Sequence, residues 1–262
     1  MLAHRLAREV PYNQTRMKKP AALRKHVEKL TAAWLPALRR HVSSRLVWSF
    51  VIFLFVARLF AAIAKQVRDN DTLRFDEWVL YHIHAISRPG LDGVVTALTQ
   101  LGGVMVVPLV SLAVAAWLYK KASREHAWLV LAGVIGSSLL NLALKSLFAR
   151  SRPDLWDHLV VERSFSFPSG HAMASMSLAA SIVAALWFSR WRKVAISLGM
   201  VYITAVGFTR LYLGVHYPTD ILAGWVIALG WVALVWVIFA DAPKTKDVIT
   251  SPEPVRDLTQ KT

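Results

Sequence analysis

The polar residues best suited to chemistry fall into three groups in the second half of this 262-residue sequence. Cations and a helix N-terminus can bind a tetrahedral anion such as phosphate, and a histidine supported by a carboxylate can act as a nucleophile. The groups are Lys145 and Arg152; Ser169, Gly170 and His171; and Arg210, His216 and Asp220.

Lys145 and Arg152 are seven positions apart, which is about two turns of an α-helix. If the helix continues that far, both side chains lie on one face, and Pro153 ends the helix. A lysine charge and a planar guanidinium together suit a phosphate group. The alternative is a pair of ordinary cations at a membrane interface.

The second group predicts the start of a helix. In Phe167-Pro168-Ser169-Gly170-His171, Ser169 is expected to be the N-cap, and Gly170 allows the backbone to approach a ligand closely. The free N–H groups of a helix N-terminus attract anions. The alternative is a plain helix cap beside an interfacial histidine.

The third group places a histidine and a carboxylate around the start of another helix. Pro218 suits the first helical turn, which puts Asp220 early in the helix and His216 just before it. Asp220 can reach back to one ring nitrogen of His216, which would make the other nitrogen a stronger nucleophile. The alternative is an acidic residue that only stabilises the first turn.

Composition places the chain in a membrane. Hydrophobic residues make up 55% of it, the mean hydropathy is +0.42 and 11 residues are Trp, which favours the bilayer interface. Cysteine is absent, so disulfide and thiolate chemistry are excluded. The net charge of +15 is concentrated in residues 1–45 and in short loops, which indicates an anionic lipid bilayer as partner rather than nucleic acid.

Six segments approach the length and hydropathy of a membrane span, which needs about 20 apolar residues. We therefore predict an all-α, polytopic membrane protein with a six-helix bundle over residues 46–240. A basic cytoplasmic segment (1–45) precedes it, and a cytoplasmic tail predicted to be disordered (241–262) follows it. The predicted spans are 46–64, 94–119, 127–148, 172–189, 194–213 and 221–240.

Loop charges predict the orientation. The basic loops 120–124 and 190–193 should be cytoplasmic, and both termini then lie on the same side. The three polar groups should face the periplasm or exterior of the inner (plasma) membrane. Because outer loops are usually poor in Lys and Arg, cations kept there indicate an anionic substrate. Each cation is expected at a helix end where water satisfies its charge, so its replacement should lower turnover rather than stability.

Two shorter stretches are amphipathic. Apolar residues spaced three and four apart over 23–38, beside basic residues, predict a helix on an anionic membrane surface, with a disordered basic tail as the alternative. The stretch 75–86 is expected to lie along the outer membrane surface. Arg58, within the first span, is expected to reach back to the interface.

Together the three groups resemble the signature of the type 2 phosphatidic acid phosphatase superfamily. That signature reads Lys-x6-Arg-Pro, Pro-Ser-Gly-His and Ser/Thr-Arg-x5-His-x3-Asp, and all three parts match here in order and spacing. The signature covers residues 145–220, and the helix pattern extends the likeness to about 46–240. Thr209 stands where many members have serine.

The resemblance implies an all-helical membrane lipid phosphatase that needs no metal or other cofactor. In such a site cations hold the phosphate, one histidine attacks phosphorus and a second acts first as acid and then as base. Carried over residue by residue, the nucleophile is His216, its support is Asp220, the acid and base is His171, and the phosphate-binding residues are Lys145, Arg152, Ser169, Gly170 and Arg210.

The expected substrate is a phosphorylated membrane lipid, and several fit the resemblance: undecaprenyl pyrophosphate, phosphatidylglycerol phosphate, phosphatidate or a lipid A phosphate. A lipid phosphotransferase would use the same site, with a hydroxyl group replacing water. A vanadate-dependent oxidase is disfavoured by the six spans, and a transporter is disfavoured because the sequence has no paired halves with matching broken helices. The oligomeric state is left open.

Overall fold

The computed structural model describes residues 50–239, and within this range the regular structure is entirely helical. The predicted helix over 23–38 and the tail 241–262 lie outside these residues. The helices are α1 (Phe50–Arg68 as described), α2 (Leu73–His84), α3 (Pro89–Thr99, followed by a 3-10 turn, Gln100–Gly102), α4 (Val106–Lys121), α5 (Arg124–Phe148), α6 (Gly170–Ala185), α7 (Arg192–Tyr212) and α8 (Pro218–Phe239).

The described helices confirm an all-helical, multi-pass membrane architecture, although the count of six spans is not fully confirmed. Helices α1, α5, α7 and α8 are long and apolar enough to cross a bilayer, and α3 with α4 makes a fifth span if the pair is counted together. The remaining predicted span, 172–189, corresponds to α6. Its 16 residues extend about 24 Å, short of a hydrocarbon core about 30 Å thick.

The predicted span 94–119 is wrong as a single straight helix. Its axis bends by 47° between the Pro89–Gly102 and Val106–Lys121 segments. Gly102 and Gly103 lie at the break, and Gly103 has an extended backbone with φ −78° and ψ 165°. Glycine lowers helix stability by about 1 kcal/mol relative to alanine, so two in succession favour a break at this point.

Helix α6 lies in the middle of the bundle and contacts α5, α7 and α8. Close packing between α6 and α8 depends on Gly224, because a Cβ atom there would lie 3.0 Å from the Ser169 carbonyl oxygen and 3.0 Å from Ala172 Cβ. Small residues let membrane helices approach closely. The N-terminal turns of α6 and α8 are therefore held against each other.

The outward-facing sides of the helices are apolar, as expected for contact with lipid. Leu109 and Leu112 on α4 are more than half exposed. Helix α2 confirms the amphipathic pattern predicted over 75–86, because Phe75 and Trp78 are exposed while Leu80 is buried. One polar residue, Asp76, is buried on the same side as Leu80.

Candidate active site

All eight residues of the three predicted groups lie at one end of the bundle, where α5 and α7 end and α6 and α8 begin. The basic loops 120–124 and 190–193 lie at the other helix ends, where α4 and α6 end and α5 and α7 begin. The pattern of helix ends therefore brings together groups that are up to 75 residues apart in sequence, from 145 to 220.

The sequence had indicated that Lys145 and Arg152 lie on one helix, but in the structure they do not. Helix α5 ends at Phe148, and Ala149 adopts a left-handed conformation with φ 45°. Arg152 therefore belongs to the loop 149–169 rather than to a further helical turn. That loop folds back on itself, because the Ser166 backbone N–H donates to the Arg150 carbonyl oxygen at 2.9 Å.

Lys145 and Arg152 converge in spite of the helix end. Lys145 Nζ donates to the Ser164 hydroxyl at 2.8 Å and to the Phe165 carbonyl oxygen at 2.6 Å. Arg152 Nη2 donates to the same hydroxyl at 3.2 Å. Both cations therefore face one small region of the loop, which is the arrangement needed to bind one anion.

His216 lies between a carboxylate and a guanidinium. Its Nδ1 is 3.4 Å from Asp220 Oδ2, and its Nε2 is 3.2 Å from Arg152 Nη1. Because an arginine can only donate, we infer that Nε2 accepts and that the ring proton is on Nδ1, facing Asp220. The lone pair of Nε2 then points toward the cations of the site.

Burial keeps the His216 ring neutral. It lowers the pKa of His216 to about 3 and outweighs the opposite effects of the hydrogen bond and charge of Asp220. A neutral imidazole retains the lone pair that a nucleophile needs at physiological pH.

Arg210 is almost fully buried, with 1% of its surface exposed. The expectation from the sequence that water surrounds this cation is therefore wrong. Its guanidinium donates to the Thr99 hydroxyl at 2.9 Å and to the Glu162 carboxylate. Its Nε atom is buried and has no hydrogen-bond partner among the described residues. An oxygen-rich anion placed there would satisfy that donor.

Glu162 connects two of the cations. One carboxylate oxygen pairs with Arg210, and the other lies 3.6 Å from Arg152 Nη2. Burial alone would raise the pKa of Glu162, but Arg210 and Arg152 hold it below its usual value. The carboxylate therefore stays charged and lies beside the guanidinium groups that are candidates for binding phosphate.

The second group forms the predicted helix start. The Ser169 hydroxyl accepts from the Ala172 backbone N–H at 3.4 Å, which confirms Ser169 as the N-cap of α6. The Ser169 backbone N–H donates to the Asp220 carbonyl oxygen at 3.1 Å and so joins this turn to α8. Asn141 supports the turn from α5 by donating to the Pro168 carbonyl oxygen at 3.1 Å.

His171 faces the break between α3 and α4. A Cβ atom on Gly102 would be 3.4 Å from His171 Cδ2. Arg210, His216 and Glu162 all lie within electrostatic range of the ring. His171 is therefore near the nucleophile candidate but on a separate element, a position suited to a separate acid–base role.

Sequence reasoning missed four polar residues that shape the site. Ser166 donates to Asp220 Oδ2 at 2.5 Å, and Arg150 Nη1 donates to Asp220 Oδ1 at 2.6 Å. Arg150 had a usable signal, because Lys and Arg are unusual in outer loops. A single acid on a surface helix carried no such signal. The four residues are Asp76, Arg150, Glu162 and Ser166.

Within residues 50–239 no group of three or more His, Cys, Asp or Glu side chains is arranged to hold a metal ion. The side chains of Lys145, Arg152 and Arg210 bring positive charge to the described site. Charge neutralisation by such side chains and by a helix N-terminus can stabilise a transferring phosphoryl group.

Comparisons with known proteins agree on one family. Residues 126–244 match the PAP2 superfamily. The chain is 33% identical over 185 residues to phosphatidylglycerophosphatase B of Bacillus subtilis, covering 68% of this chain and 88% of that protein. It is 28% identical over 192 residues to an undecaprenyl-diphosphatase of Sulfolobus acidocaldarius, covering 71% and 88%.

A solved structure shows the same fold. The crystal structure of a transmembrane PAP2-type phosphatidylglycerolphosphate phosphatase from Bacillus subtilis is similar with a TM-score of 0.67 and 30% identity. The match covers 75% of this chain and 98% of that one.

Proposed function

The chain belongs to the PAP2 superfamily and is a membrane lipid phosphatase, and we propose that it hydrolyses a lipid phosphate monoester or pyrophosphate through a phosphohistidine on His216. One observation carries the mechanism. The neutral imidazole of His216 has Nδ1 beside the Asp220 carboxylate and Nε2 beside the Arg152 guanidinium, so its attacking atom points toward the cations.

In the first step, Nε2 of His216 attacks phosphorus while the ester bond to the lipid oxygen breaks. Asp220 Oδ2 faces the Nδ1 proton and stabilises the positive charge that develops on the ring. His171 acts as the general acid: the negative charge of the bound phosphate favours its protonated form, and it gives that proton to the departing lipid oxygen. The products of this step are a lipid alcohol, or a lipid monophosphate in the case of a pyrophosphate, and the phosphorylated histidine.

In the second step, water displaces the histidine from phosphorus and releases inorganic phosphate, with His171 accepting the proton from water. The phosphate oxygens need positive charge throughout both steps. Three cations supply it, and the free Nε donor of Arg210 and the N-terminus of α6 are placed to add hydrogen bonds. The phosphate-binding residues in this proposal are Lys145, Arg152, Arg210, Ser169 and Gly170.

The substrate class follows from the relatives. Among proteins similar to this chain, one acts on phosphatidylglycerophosphate, one on undecaprenyl diphosphate and one on the 4'-phosphate of lipid A. Their shared chemistry is a phosphate group at the head of a membrane lipid. We propose the same for this chain, with the site facing the exterior of the inner (plasma) membrane and both termini in the cytoplasm.

A phosphate-release assay on purified protein tests the reaction. The panel comprises phosphatidylglycerol phosphate, undecaprenyl pyrophosphate, phosphatidate and a lipid A phosphate, each measured with and without EDTA. We expect phosphate release that survives EDTA, and an acid-labile phosphoenzyme that disappears in His216→Ala. His82→Gln, on the exposed side of α2, is the matched control and should retain activity.

Full activity of His216→Ala, or an absolute need for added magnesium, would contradict this mechanism. Transfer of phosphate to a second lipid without release would indicate a phosphotransferase.

The role of His171 can be tested separately, because a good leaving group needs little protonation. His171→Ala should slow hydrolysis of a lipid phosphate far more than hydrolysis of nitrophenyl phosphate.

A further inference from the structure

Asp76 is a fully buried carboxylate on α2, outside the three residue groups that carry the proposed reaction. Its Oδ1 accepts from the Thr219 backbone N–H at 3.1 Å, and its Oδ2 accepts from the Thr219 hydroxyl at 2.7 Å. Oδ2 also accepts from Arg150 Nη2 at 2.9 Å. A buried carboxylate is unfavourable unless hydrogen bonds and an opposite charge compensate it, and these contacts provide both.

Arg150 joins this carboxylate to the active site. The guanidinium places Nη2 on Asp76 and Nη1 on Asp220 Oδ1, at 2.9 and 2.6 Å. It also lies 4.0 Å from the centre of the Tyr217 ring, which restricts its movement further. One planar cation therefore bridges a carboxylate on α2 and a carboxylate on α8.

The bridge controls the orientation of Asp220. Arg150 holds Oδ1, while Oδ2 accepts from the Ser166 hydroxyl at 2.5 Å and from the Tyr217 backbone N–H at 2.9 Å. With contacts on both oxygens the carboxylate cannot rotate freely, and Oδ2 remains directed at Nδ1 of His216. The Arg150 charge also offsets the repulsion between Asp76 and Asp220, which would be strong in a buried site.

We propose that Asp76 and Arg150 are positioning residues for the nucleophile: Asp76 holds Arg150, Arg150 holds Asp220, and Asp220 orients His216. This inference rests on the proposed function of His216 and Asp220. It makes α2 a support of the active site as well as a surface helix. A second contact holds α2 in the same place, because the His84 ring stacks on Trp156 of the loop 149–169 with ring centres 4.0 Å apart.

The test compares Asp76→Asn, Arg150→Gln and Arg150→Lys with the double variant Asp76→Asn/Arg150→Gln. For each, kcat, KM and the single-turnover rate of phosphoenzyme formation are measured on a lipid phosphate and on nitrophenyl phosphate. Misplacement of a reacting group by about 1 Å can lower a rate by about a hundredfold. We expect kcat and phosphoenzyme formation to fall by about a hundredfold in Arg150→Gln and by less in Asp76→Asn.

Two features of the result distinguish positioning from other roles. KM should change by less than about twofold, because ground-state binding of the phosphate is not altered. The loss should be the same for both substrates, because it concerns the attacking group, whereas a role of α2 in docking lipid would affect the lipid alone. Arg150→Lys should recover part of the rate. The double variant should be no slower than Arg150→Gln, because Asp76 acts through Arg150.

Arg74→Gln and Asp69→Asn are matched controls on exposed residues near the same element and should leave kcat unchanged. Melting temperatures are recorded for all variants, and if Arg150→Gln does not fold, the nearly isosteric Asp76→Asn decides the question. A kcat of Asp76→Asn equal to that of wild type, or a loss confined to the lipid substrate, would overturn this inference. The proposed function would still stand in that case, provided that the wild type showed activity dependent on His216. An inactive wild type would overturn the proposed function and this inference with it.

Discussion

Arg210 and Glu162 form a buried pair whose two members depend on each other. Arg210 is 1% exposed and the Glu162 side chain 26%, so neither charge is well solvated. Removing one partner of a buried pair typically costs about 3–5 kcal/mol, because the other charge is left uncompensated. Burial therefore gives this arginine a structural role in addition to its proposed contact with phosphate.

We expect Arg210→Gln to lose both activity and stability, by about 3 kcal/mol of unfolding free energy, the lower end of the usual range because Glu162 is partly exposed. The double variant Arg210→Gln/Glu162→Gln should regain most of the stability but none of the activity. Thermal unfolding in detergent and phosphate release measure the two effects separately. Equal stability of Arg210→Gln and wild type would show that the pair contributes nothing to folding.

At the scale of the elements, the ends of the helices place the site residues. The connections that follow α5 and α7 each contain a residue in the left-handed conformation. Ala149, directly after α5, has φ 45°, and Gly214, in the connection between α7 and α8, has φ 69°. A Cβ atom on Gly214 would also lie 2.8 Å from three atoms of the Trp156 ring. The chain thus turns sharply just before Arg150 and just before His216.

These two positions give opposite expectations for exchanges between glycine and alanine. Ala149→Gly should raise stability by up to about 1 kcal/mol, because glycine adopts the left-handed region without a steric penalty. Gly214→Ala should lower it by about 1–3 kcal/mol, through both backbone strain and the clash with Trp156. Gly90→Ala, where a Cβ atom meets nothing within 4 Å, is the control. A melting temperature of Gly214→Ala equal to or above that of Gly90→Ala, or of Ala149→Gly below that of wild type, would contradict this account.

At the scale of the whole molecule, the described bundle has two chemically different ends. The loop between α4 and α5 and the loop between α6 and α7 are basic, whereas the opposite end carries the candidate active site. The positive-inside rule predicts that the basic end faces the cytoplasm. On the outer side, the site would meet lipid headgroups that lie at the exterior surface.

The absence of cysteine from the sequence makes this orientation easy to test with single introduced cysteines. Asp157→Cys, in the loop 149–169, should react with an impermeant maleimide in intact cells, and Lys121→Cys, at the end of α4, should react only after permeabilisation. The neighbouring Ser123 is left unchanged, because its hydroxyl caps α5 by accepting from the His126 backbone N–H. The reverse pattern of labelling would place the site in the cytoplasm.

The sequence by itself determined the membrane class, the helical architecture and most helix positions within a few residues. Hydropathy over about 20 residues and the spacing of a signature are local properties, so they can be read along the chain. The N-cap role of Ser169 and the early position of Asp220 in α8 were predictable for the same reason. The catalytic and phosphate-binding roles assigned to the eight site residues stay predictions.

Only the tertiary structure decided which side chains meet. The Arg150–Asp76 contact joins residues 74 positions apart and the Arg210–Glu162 contact joins residues 48 apart, and no periodicity links the members of either pair. The predicted span 127–148 ends where α5 ends, but the expected continuation of that helix to Arg152 was wrong, because the left-handed Ala149 stops it. The break before α4 was missed because hydropathy does not register a pair of glycines inside an apolar stretch. Such contacts depend on which helix ends are packed together, and that packing is a property of the whole bundle rather than of any segment.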